Sequence, residues 1–324
     1  MRSAIHETFG NPAEVLTVED RPLPEPGPGE VRVKMRLASI HNHDLLTVSG
    51  DYGYKPPLPA VAGSEATGTI DALGEGVEGL KVGQRVAATG RGTWADYFIA
   101  KAPGVVLLPD AVDDETAAQL VAMPMSAMFL LDFVHAHPGD WIVQNAATGA
   151  VAKVLATVAQ TRGVNVINLV RRDEAVAELA ALNIRNAVST SAANWKEQVE
   201  AITEGAPIKA AIDGVGGPQA ADLCAICGNG ATVVSFGLMS GEPMEIPSGQ
   251  LIFRGIEVKG FWLAKLLPEA PKPKVAALMG ELVGLIASGK LTLQVDAIYD
   301  LADVAKAAEA AMQGQRIGKV LIRG

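Results

Sequence analysis

The sequence contains only two cysteines, Cys224 and Cys227, among its 324 residues. Two cysteines cannot build a disulfide framework, and so low a number is typical of a protein that stays in a reducing cytosol. Positive charge is also scarce, because 27 lysines and arginines stand against 36 acidic residues and leave a net charge of −9. Since binding along a nucleic acid requires clustered positive charge, we expect no nucleic-acid partner.

Long hydrophobic runs are absent as well. The apolar stretch at 120–134 is interrupted by Pro124 and Asp132 and is too short to span a bilayer. Residues 1–10 show no apolar core after a basic start, which argues against a secretory signal. We therefore expect a cytoplasmic protein with no membrane partner.

The first part of the chain is rich in short β-type runs, for example at 31–37 and 66–72. Turn-forming segments at 22–29 and 74–79 separate such runs. Short strands at this spacing predict a barrel-like β domain.

The middle of the chain alternates between strand and helix patterns. An apolar strand at 141–144 is followed by a helix at 149–161 and a second strand at 164–170. The same patterns predict helices at 175–182 and 195–203 and strands at 187–190, 208–213, 231–236 and 256–261. This order predicts a parallel sheet that is covered on both faces, with right-handed crossovers.

The last part of the chain begins with a break rich in proline and lysine at 268–274. It continues with helices at 275–287 and 301–312 and with apolar runs at 291–295 and 318–322. We expect this tail to rejoin the first domain. The predicted division is therefore residues 1–115 with 268–324 as one domain and residues 116–267 as the other.

A small-residue loop lies between the first strand and the first helix of the middle region. Ala146, Gly149 and Ala152 keep the spacing of a glycine-rich dinucleotide fingerprint. A pyrophosphate needs a tight turn there and helix N–H groups directed at the anion, and the strand before and helix after supply that context. We therefore predict a dinucleotide site, with a ligand-free turn as the alternative.

The end of the next predicted strand indicates which dinucleotide is bound. An NAD site places an acidic residue at this position to bind the ribose 2′-hydroxyl. This chain has Arg171 and Arg172 there, and Asp173 comes late. Guanidinium groups suit a 2′-phosphate, so we predict NADPH. A pair of solvated surface arginines is the alternative.

The histidines do not predict a metal site. His41 and His43 share a short segment, but a catalytic zinc needs three protein ligands, so the pair would still need a third ligand nearby. Hydrogen bonding in or near a cleft is the role we expect of His41, and a surface loop is where we expect His135 and His137. Cys224 and Cys227 lie in an apolar stretch without a second thiol pair, which indicates a buried helical face.

The whole chain resembles the medium-chain dehydrogenase/reductase superfamily. Alcohol dehydrogenases of that superfamily bind a catalytic zinc through a Cys, the His of a Gly-His-Glu motif and a further ligand. The matching positions here are His41 and the Gly-Ser-Glu of 63–65, and 122–127 offers no third ligand. The resemblance is therefore to the zinc-independent reductases, and it implies a GroES-like β-barrel catalytic domain with a Rossmann doubly wound parallel-sheet domain.

Several segments resemble the mitochondrial-type trans-2-enoyl thioester reductases in particular. They are 50–53, 58–61, 92–94, 143–146 and 260–263. In that family a tyrosine takes part in proton donation, and the resemblance places this role on Tyr52. It implies cofactor contacts from Ser126, Asn145, Thr148, Gly149, Ala150, Val151, Arg171, Arg172, Asp173, Phe236, Gly237, Leu238, Met239, Phe261, Trp262, Leu263 and Lys319. Met123 replaces an asparagine that contacts the cofactor in the family.

The expected reaction is NADPH-dependent reduction of an electron-poor carbon–carbon double bond in a small-molecule substrate. A proton must reach the α-carbon, and a tyrosine hydroxyl with a pKa of about 10 can donate it while remaining neutral. Tyr52 lies in a loop rich in glycine and proline, which suits a residue at a cleft edge. The alternative is an aromatic turn residue that packs on Tyr54 or Pro56.

Two other functions stay open. A quinone reductase would use the same fold and cofactor without requiring Tyr52, and a non-catalytic NADPH-binding protein would require no acceptor. The acidic composition offers no wide basic platform for the phosphates of coenzyme A or a carrier protein, which weakens the thioester option. The apolar run at 253–263 predicts an unpaired sheet edge, and a homodimer would cover it; the resemblance implies the same.

Overall fold

The computed structural model describes residues 1–314 and 316–324. The chain divides into two compact units, Met1–Met123 with Ile286–Gly324, and Pro124–Leu285. The division drawn from the sequence fell at 115/116 and 267/268. Both positions lie inside helices, Asp114–Ala117 and Leu263–Glu269. The two units meet instead after Met123 and after Leu285, so residues 116–123 belong to the first unit and residues 268–285 to the second.

The strands and helices are numbered here in chain order. The strands are β1 (Arg2–His6), β2 (Thr17–Asp20), β3 (Glu30–Ser39), β4 (Ala60–Val61), β5 (Glu65–Leu73), β6 (Arg85–Thr89), β7 (Tyr97–Lys101), β8 (Val105–Leu107), β9 (Trp141–Gln144), β10 (Asn165–Val170), β11 (Ala187–Ser189), β12 (Ile208–Asp213), β13 (Thr232–Ser235), β14 (Glu257–Gly260), β15 (Val295–Asp300) and β16 (Lys319–Arg323). The helices are α1 (Pro12–Val15), α2 (Asn42–Ser49), α3 (Asp114–Ala117), α4 (Ala122–Phe133), α5 (Ala150–Thr161), α6 (Glu174–Ala181), α7 (Trp195–Thr203), α8 (Gln219–Ile226), α9 (Ser248–Arg254), α10 (Leu263–Glu269), α11 (Lys272–Ala287) and α12 (Val304–Met312). Short 3₁₀ turns lie at Ala102–Gly104 and Leu301–Asp303.

The first unit is built around a seven-stranded sheet in which the strands follow the order β15-β16-β3-β5-β6-β8, with β7 paired to β3. A smaller sheet has the order β2-β1-β4. Strand β3 alternates in burial, so that Val31, Val33 and Met35 face a core that also contains Trp94. Strand β16 pairs antiparallel with β3, which brings the end of the chain into this unit.

The second unit contains a six-stranded sheet with the order β11-β10-β9-β12-β13-β14, and every pairing in it is parallel. The order reverses between β9 and β12, which is where ligands bind in sheets of this type. Buried residues such as Val143, Ile167 and Val233 form the core against the helices. The predicted doubly wound parallel sheet is confirmed.

Local differences from the sequence-based expectation concern the last part of the chain. The residues at 268–274 were expected to form a break, but Pro268 lies inside α10 and α11 begins at Lys272. Proline is tolerated in the first turn of a helix, which explains how α11 includes Pro273. The run at 291–295 precedes β15 rather than forming a strand. Within the described ranges, no helix has both the length and the apolar composition needed to cross a bilayer.

Candidate active site

The predicted dinucleotide loop of the second unit joins the end of β9 to the start of α5. Ala146 adopts a left-handed conformation with φ of 48°, and Gly149 precedes the first residue of α5. No described side chain caps the 12-residue helix, and Gly149 is exposed. The first-turn N–H groups, including those of Ala150 and Val151, are therefore available to an anion.

A buried carboxylate at the end of β12 holds this loop in place. Asn145 donates from Nδ2 to Asp213 Oδ1 over 2.6 Å, and its own Oδ1 accepts from the Gly214 N–H at 2.8 Å. The same Asp213 oxygen accepts from the N–H groups of Val215 and Gly216 at 2.9 and 3.0 Å. The loops that follow β9 and β12 are thus fixed to each other. We call Asn145, Asp213 and the backbone of 214–216 the carboxylate hub.

The loop that follows β13 joins the same hub through its backbone. Phe236 N–H donates to the carbonyl of Asp213 at 2.9 Å. A Cβ atom on Gly237 would lie 2.4 Å from the carbonyl oxygen of Gly214, so only glycine permits this approach. Leu238 and Met239 then project outward, with 66% and 64% of their surface exposed. The predicted contacts at 236–239 therefore lie beside the predicted loop at 145–151.

The two predicted phosphate-binding arginines follow β10, and the structure distinguishes between them. Arg172 forms an ion pair with Glu178 at 3.0 Å and approaches Glu174 at 3.8 Å. Arg171 is exposed and makes no salt bridge within residues 1–314 and 316–324. Hydrogen bonds from Ser189 and Ser191 lower the pKa of the Asp173 carboxyl, which is thus already engaged.

The remaining predicted cofactor residues are spread over several elements. Ser126 is buried on α4, and Thr148 is partly buried in the loop before α5. Phe261 is buried with an edge contact to Phe133 at 5.6 Å, whereas Trp262 is 42% exposed. Leu263 begins α10 and is partly buried. Lys319 lies in the first unit, where its Nζ donates to the carbonyl of Ile40 at 3.4 Å.

The first unit contains a buried polar cluster around His41. The Nε2 atom of His41 lies 2.7 Å from Ser39 Oγ and 2.8 Å from Glu65 Oε2. The Glu65 carboxylate also accepts backbone N–H bonds from Val121 and Ala122. We call Ser39, His41 and Glu65 the buried cluster, and the hydrogen bonding expected of His41 is what the structure shows.

Burial shifts the acidities of this cluster in opposite directions. It raises the pKa of Glu65 to about 7, against the lowering effect of the two backbone donors. It also lowers the pKa of His41 well below 6.5, so the imidazole is neutral at pH 7. In the described part of the chain, His41 Nδ1 has no hydrogen-bond partner.

These residues do not fit a zinc ion. The Glu65 oxygens are taken up by His41 and by two backbone N–H groups, and the Nε2 of His41 is engaged by Glu65 and Ser39. Among the residues that the structure describes, no three His, Cys, Asp or Glu side chains converge in an arrangement that could hold a metal.

Tyr52 lies beside the second histidine of the same segment. The ring centroids of His43 and Tyr52 are 5.7 Å apart with an interplanar angle of 30°. His43 Nε2 lies 2.6 Å from Ser64 Oγ, and the His43 ring stacks on that of His41 at 5.1 Å. The backbone N–H of Tyr52 donates to the carbonyl of Leu46 at 3.0 Å, at the end of α2. Tyr52 is partly exposed, as a residue that meets a substrate must be.

The other chemically distinctive side chains lie apart from these groups. His135 and His137 are exposed near the turn at Gly139, as the sequence predicts. Cys224 and Cys227 are buried free thiols at the end of α8, and burial raises the pKa of Cys227 to about 12. Such a thiol is inert as a nucleophile.

Sequence reasoning missed two acidic residues. Asp213 ends an apolar strand and precedes several glycines, a local pattern that could have marked it as a loop anchor at the ligand-binding edge. Glu65 was noted only as a motif position. Its role depends on His41, Val121 and Ala122, which are far away in the sequence and give no local signal.

Comparison with known proteins matches two family models to the two parts of the chain. The Alcohol dehydrogenase GroES-like domain model matches residues 27–110, and the Zinc-binding dehydrogenase model matches residues 150–281. The bovine (Bos taurus) mitochondrial enoyl-[acyl-carrier-protein] reductase is 31% identical over 320 residues, which cover 97% of this chain and 86% of the relative. The corresponding Arabidopsis thaliana protein is also 31% identical, over 92% of this chain and 81% of its own length.

Solved structures resemble the whole chain. A mycobacterial protein in complex with NADPH is 27% identical with a TM-score of 0.90, and the match covers 100% of both chains. A Pseudomonas syringae quinone oxidoreductase is 27% identical with a TM-score of 0.89, again over 100% of both chains. The expected pairing of a GroES-like domain with a Rossmann-type domain is confirmed.

Proposed function

Because the chain belongs to the zinc-independent medium-chain dehydrogenase/reductase family and is therefore an oxidoreductase, we propose that it uses NADPH to reduce the carbon–carbon double bond of α,β-unsaturated carbonyls or 2-enoyl thioesters. The observation that carries this proposal is the position of Tyr52. Its ring lies against His43, directly beside the buried cluster that replaces a metal site. The proposed proton donor thus lies in the same unit as the buried cluster, next to the segment that carries His41.

The groups of the second unit fit a nicotinamide dinucleotide phosphate. The uncapped start of α5 can accept the pyrophosphate, and Gly149, which has no side chain, leaves the backbone there open to it. Arg171 is the guanidinium available to the 2′-phosphate. The similar mycobacterial structure contains NADPH, which supports the same choice of cofactor here. When bound, the cofactor supplies the hydride.

The protein's own contribution to the reaction is a proton. As hydride reaches the β-carbon, negative charge develops on the substrate carbonyl and α-carbon. We propose that the Tyr52 hydroxyl donates its proton to the α-carbon and recovers one from solvent. His41 cannot fulfil this role, because it is completely buried and its Nε2 is engaged with Ser39 and Glu65.

A quinone acceptor is the second candidate, because similar solved structures include quinone oxidoreductases. Reduction of a quinone can draw its protons from water, so it does not need a tyrosine donor. The thioester option gains one local feature from the structure. The Arg91 guanidinium lies 4.5 Å from the Tyr54 ring, so a cation lies beside the loop that carries Tyr52.

The edge of the second unit's sheet supports a homodimer. Strand β14 is one of the two outermost strands, and all four of its residues are exposed. Phe253 on the preceding helix α9 is 85% exposed, and Ile252 is 71% exposed. We propose that a second copy of the chain covers this edge and the exposed apolar side chains of α9, which light scattering would show as a particle of twice the chain mass.

We propose that the protein resides in a reducing compartment, the cytoplasm, since both cysteines are free thiols. The relatives named above are mitochondrial enzymes, so fractionation of the source cells must include the mitochondrial matrix where one exists.

The experiment that tests the function is Tyr52→Phe. With trans-2-hexenal or crotonyl thioester as acceptor, kcat should fall by ~10²–10⁴-fold, the usual range for loss of a general acid. Affinity for NADPH should stay near that of the wild type, because the lost interaction forms in the transition state. Tyr54→Phe is the matched control on the same loop and should retain full activity. An unchanged kcat for every alkene acceptor would remove Tyr52 from the mechanism and favour the quinone function.

A further inference from the structure

Three aromatic rings follow one another in the first unit, the first two stacked and the third tilted against the second. His41 is completely buried, His43 lies over it at 5.1 Å with an interplanar angle of 22°, and Tyr52 follows at 5.7 Å and 30°. We call these residues the ring stack. His41 is buried, whereas His43 and Tyr52 are both partly exposed. The middle ring is therefore the only member of the stack that contacts both a fixed interior ring and the predicted proton donor.

His43 is fixed from the side by a hydroxyl on a rigid segment. Its Nε2 lies 2.6 Å from Ser64 Oγ and 3.5 Å from Asp44 Oδ1. Ser64 follows Gly63, whose φ of 94° and close approach to the buried Trp94 ring leave no room for a Cβ. The backbone that carries the Ser64 hydroxyl therefore cannot shift easily. This hydroxyl sets the angle of the imidazole.

Tyr52 itself begins a segment with little regular structure. Helix α2 ends at Gly50 in a left-handed conformation, and the N–H of Tyr52 donates to the carbonyl of Leu46. That bond places the backbone, but it leaves the two side-chain torsions of the tyrosine to be set by what the ring contacts. The His43 ring supplies such a contact on one face.

We propose that His43 is a positioning residue for Tyr52, which holds the phenol ring at the angle needed to deliver its proton and is itself held by Ser64. This inference rests on the proposed function. In this role the His43 imidazole makes and breaks no covalent bond. A misplacement of about 1 Å at a reacting group lowers rates by about 10²-fold, so loss of this contact should be measurable.

The test compares His43→Ala with His43→Phe. The alanine variant removes the ring, whereas phenylalanine keeps a flat ring beside Tyr52 and loses the polar contacts of Nε2 with Ser64 and Asp44. With trans-2-hexenal and NADPH, we expect kcat to fall by about 10- to 100-fold in His43→Ala and by only a few-fold in His43→Phe. The KM for NADPH and the rate with a naphthoquinone should change little in either variant.

Coupling to Tyr52 separates this role from a purely structural one. In a Tyr52→Phe background, His43→Ala should produce no further fall in kcat, because the group that it positions has gone. His137→Ala, an exposed histidine of the second unit, serves as the control and should be neutral. Ser64→Ala removes one hydroxyl and provides a second variant if His43→Ala folds poorly; we expect a loss of a few-fold, again absent in the Tyr52→Phe background.

The outcomes distinguish this inference from the function on which it rests. If Tyr52→Phe lowers kcat but His43→Ala and Ser64→Ala do not, the function stands and the positioning role is overturned. Losses that multiply in the double variants would also overturn it, because they would show that His43 acts without Tyr52. If Tyr52→Phe itself is fully active, both the function and the positioning role are overturned.

Discussion

The buried polar groups of the first unit are joined through side chains that lie far apart in the sequence. Glu65 follows His41 by 24 residues, and the backbone donor at Val121 comes 56 residues later. In the second unit, Asp213 accepts mainly from backbone N–H groups two and three residues after it. The first arrangement joins a histidine and a glutamate through their side chains, whereas the second fixes the shape of loops through backbone donors, with Asn145 as a distant side-chain partner. The two units should therefore respond differently to substitution and to pH.

The largest expected effect is that of Asp213→Ala, which removes the acceptor at the centre of the carboxylate hub. The Nδ2 of Asn145 and the N–H groups of Val215 and Gly216 would lose their partner. Each buried donor left unsatisfied costs about 1–3 kcal/mol, so the free energy of unfolding should fall by at least about 3 kcal/mol. Denaturant unfolding measures this loss, and NADPH titration should show a parallel loss of affinity.

Asp213→Asn is the matched control for that variant. Its amide oxygen can replace Oδ1, and its NH₂ group then takes the position of Oδ2, which has no partner in the described part of the chain. We expect a much smaller loss, because the hub depends on one acceptor oxygen and not on charge. If the asparagine variant is as unstable as the alanine variant, charge matters and the contrast between the two units fails.

The next effect is specific to the first unit and depends on pH. Burial raises the pKa of Glu65 to about 7 from its ordinary value of 4.5, so the folded state favours the protonated carboxyl. The resulting contribution of Glu65 to the free energy of unfolding is complete below pH 4.5 and is lost as pH rises towards 7. At about 1.4 kcal/mol per pKa unit, wild-type stability should fall by roughly 3 kcal/mol relative to Glu65→Gln across that window.

The difference in the free energy of unfolding between the wild type and Glu65→Gln, measured with denaturant from pH 4 to 8, isolates the effect of Glu65. The wild-type curve alone does not, because the lowered pKa of His41 acts in the opposite direction below pH 6.5. Glu309→Gln, on an exposed face of α12, should leave the dependence of the free energy of unfolding on pH unchanged. A difference that stays constant with pH would show that burial does not control the protonation of Glu65.

The same contrast explains which features the sequence could predict. The strands and helices around Gly149 follow from local periodicity and small-residue spacing, and the structure places them within a few residues of the prediction. The ring contact between His43 and Tyr52 depends on how the chain turns after α2, and the bond of His41 to Glu65 depends on the approach of two strands. Such distant pairings have no periodic signal. Resemblance alone directed attention to Tyr52 and to 63–65.

The smallest expected effect tests the choice between the two arginines that follow β10. The sequence treats Arg171 and Arg172 alike, but Arg172 already pairs with Glu178 at 3.0 Å, and Asp173 accepts from Ser191 at 2.7 Å. Arg171 is exposed and lacks a salt bridge within the described ranges, so it is the better phosphate ligand. Arg171→Ala should lose one charge-assisted contact, worth about 1.5–3 kcal/mol.

That loss corresponds to a fall of roughly 10- to 150-fold in the preference for NADPH over NADH, measured as the ratio of kcat/KM values. Arg172→Ala is the matched comparison, and it should change the ratio less because its guanidinium is shared with Glu178. Both variants should retain wild-type stability, since exposed ion pairs contribute little to folding. A larger effect from Arg172→Ala would mean that its ion pair to Glu178 opens when the cofactor binds. An equal loss for NADPH and NADH in Arg171→Ala would mean that this guanidinium does not bind the 2′-phosphate.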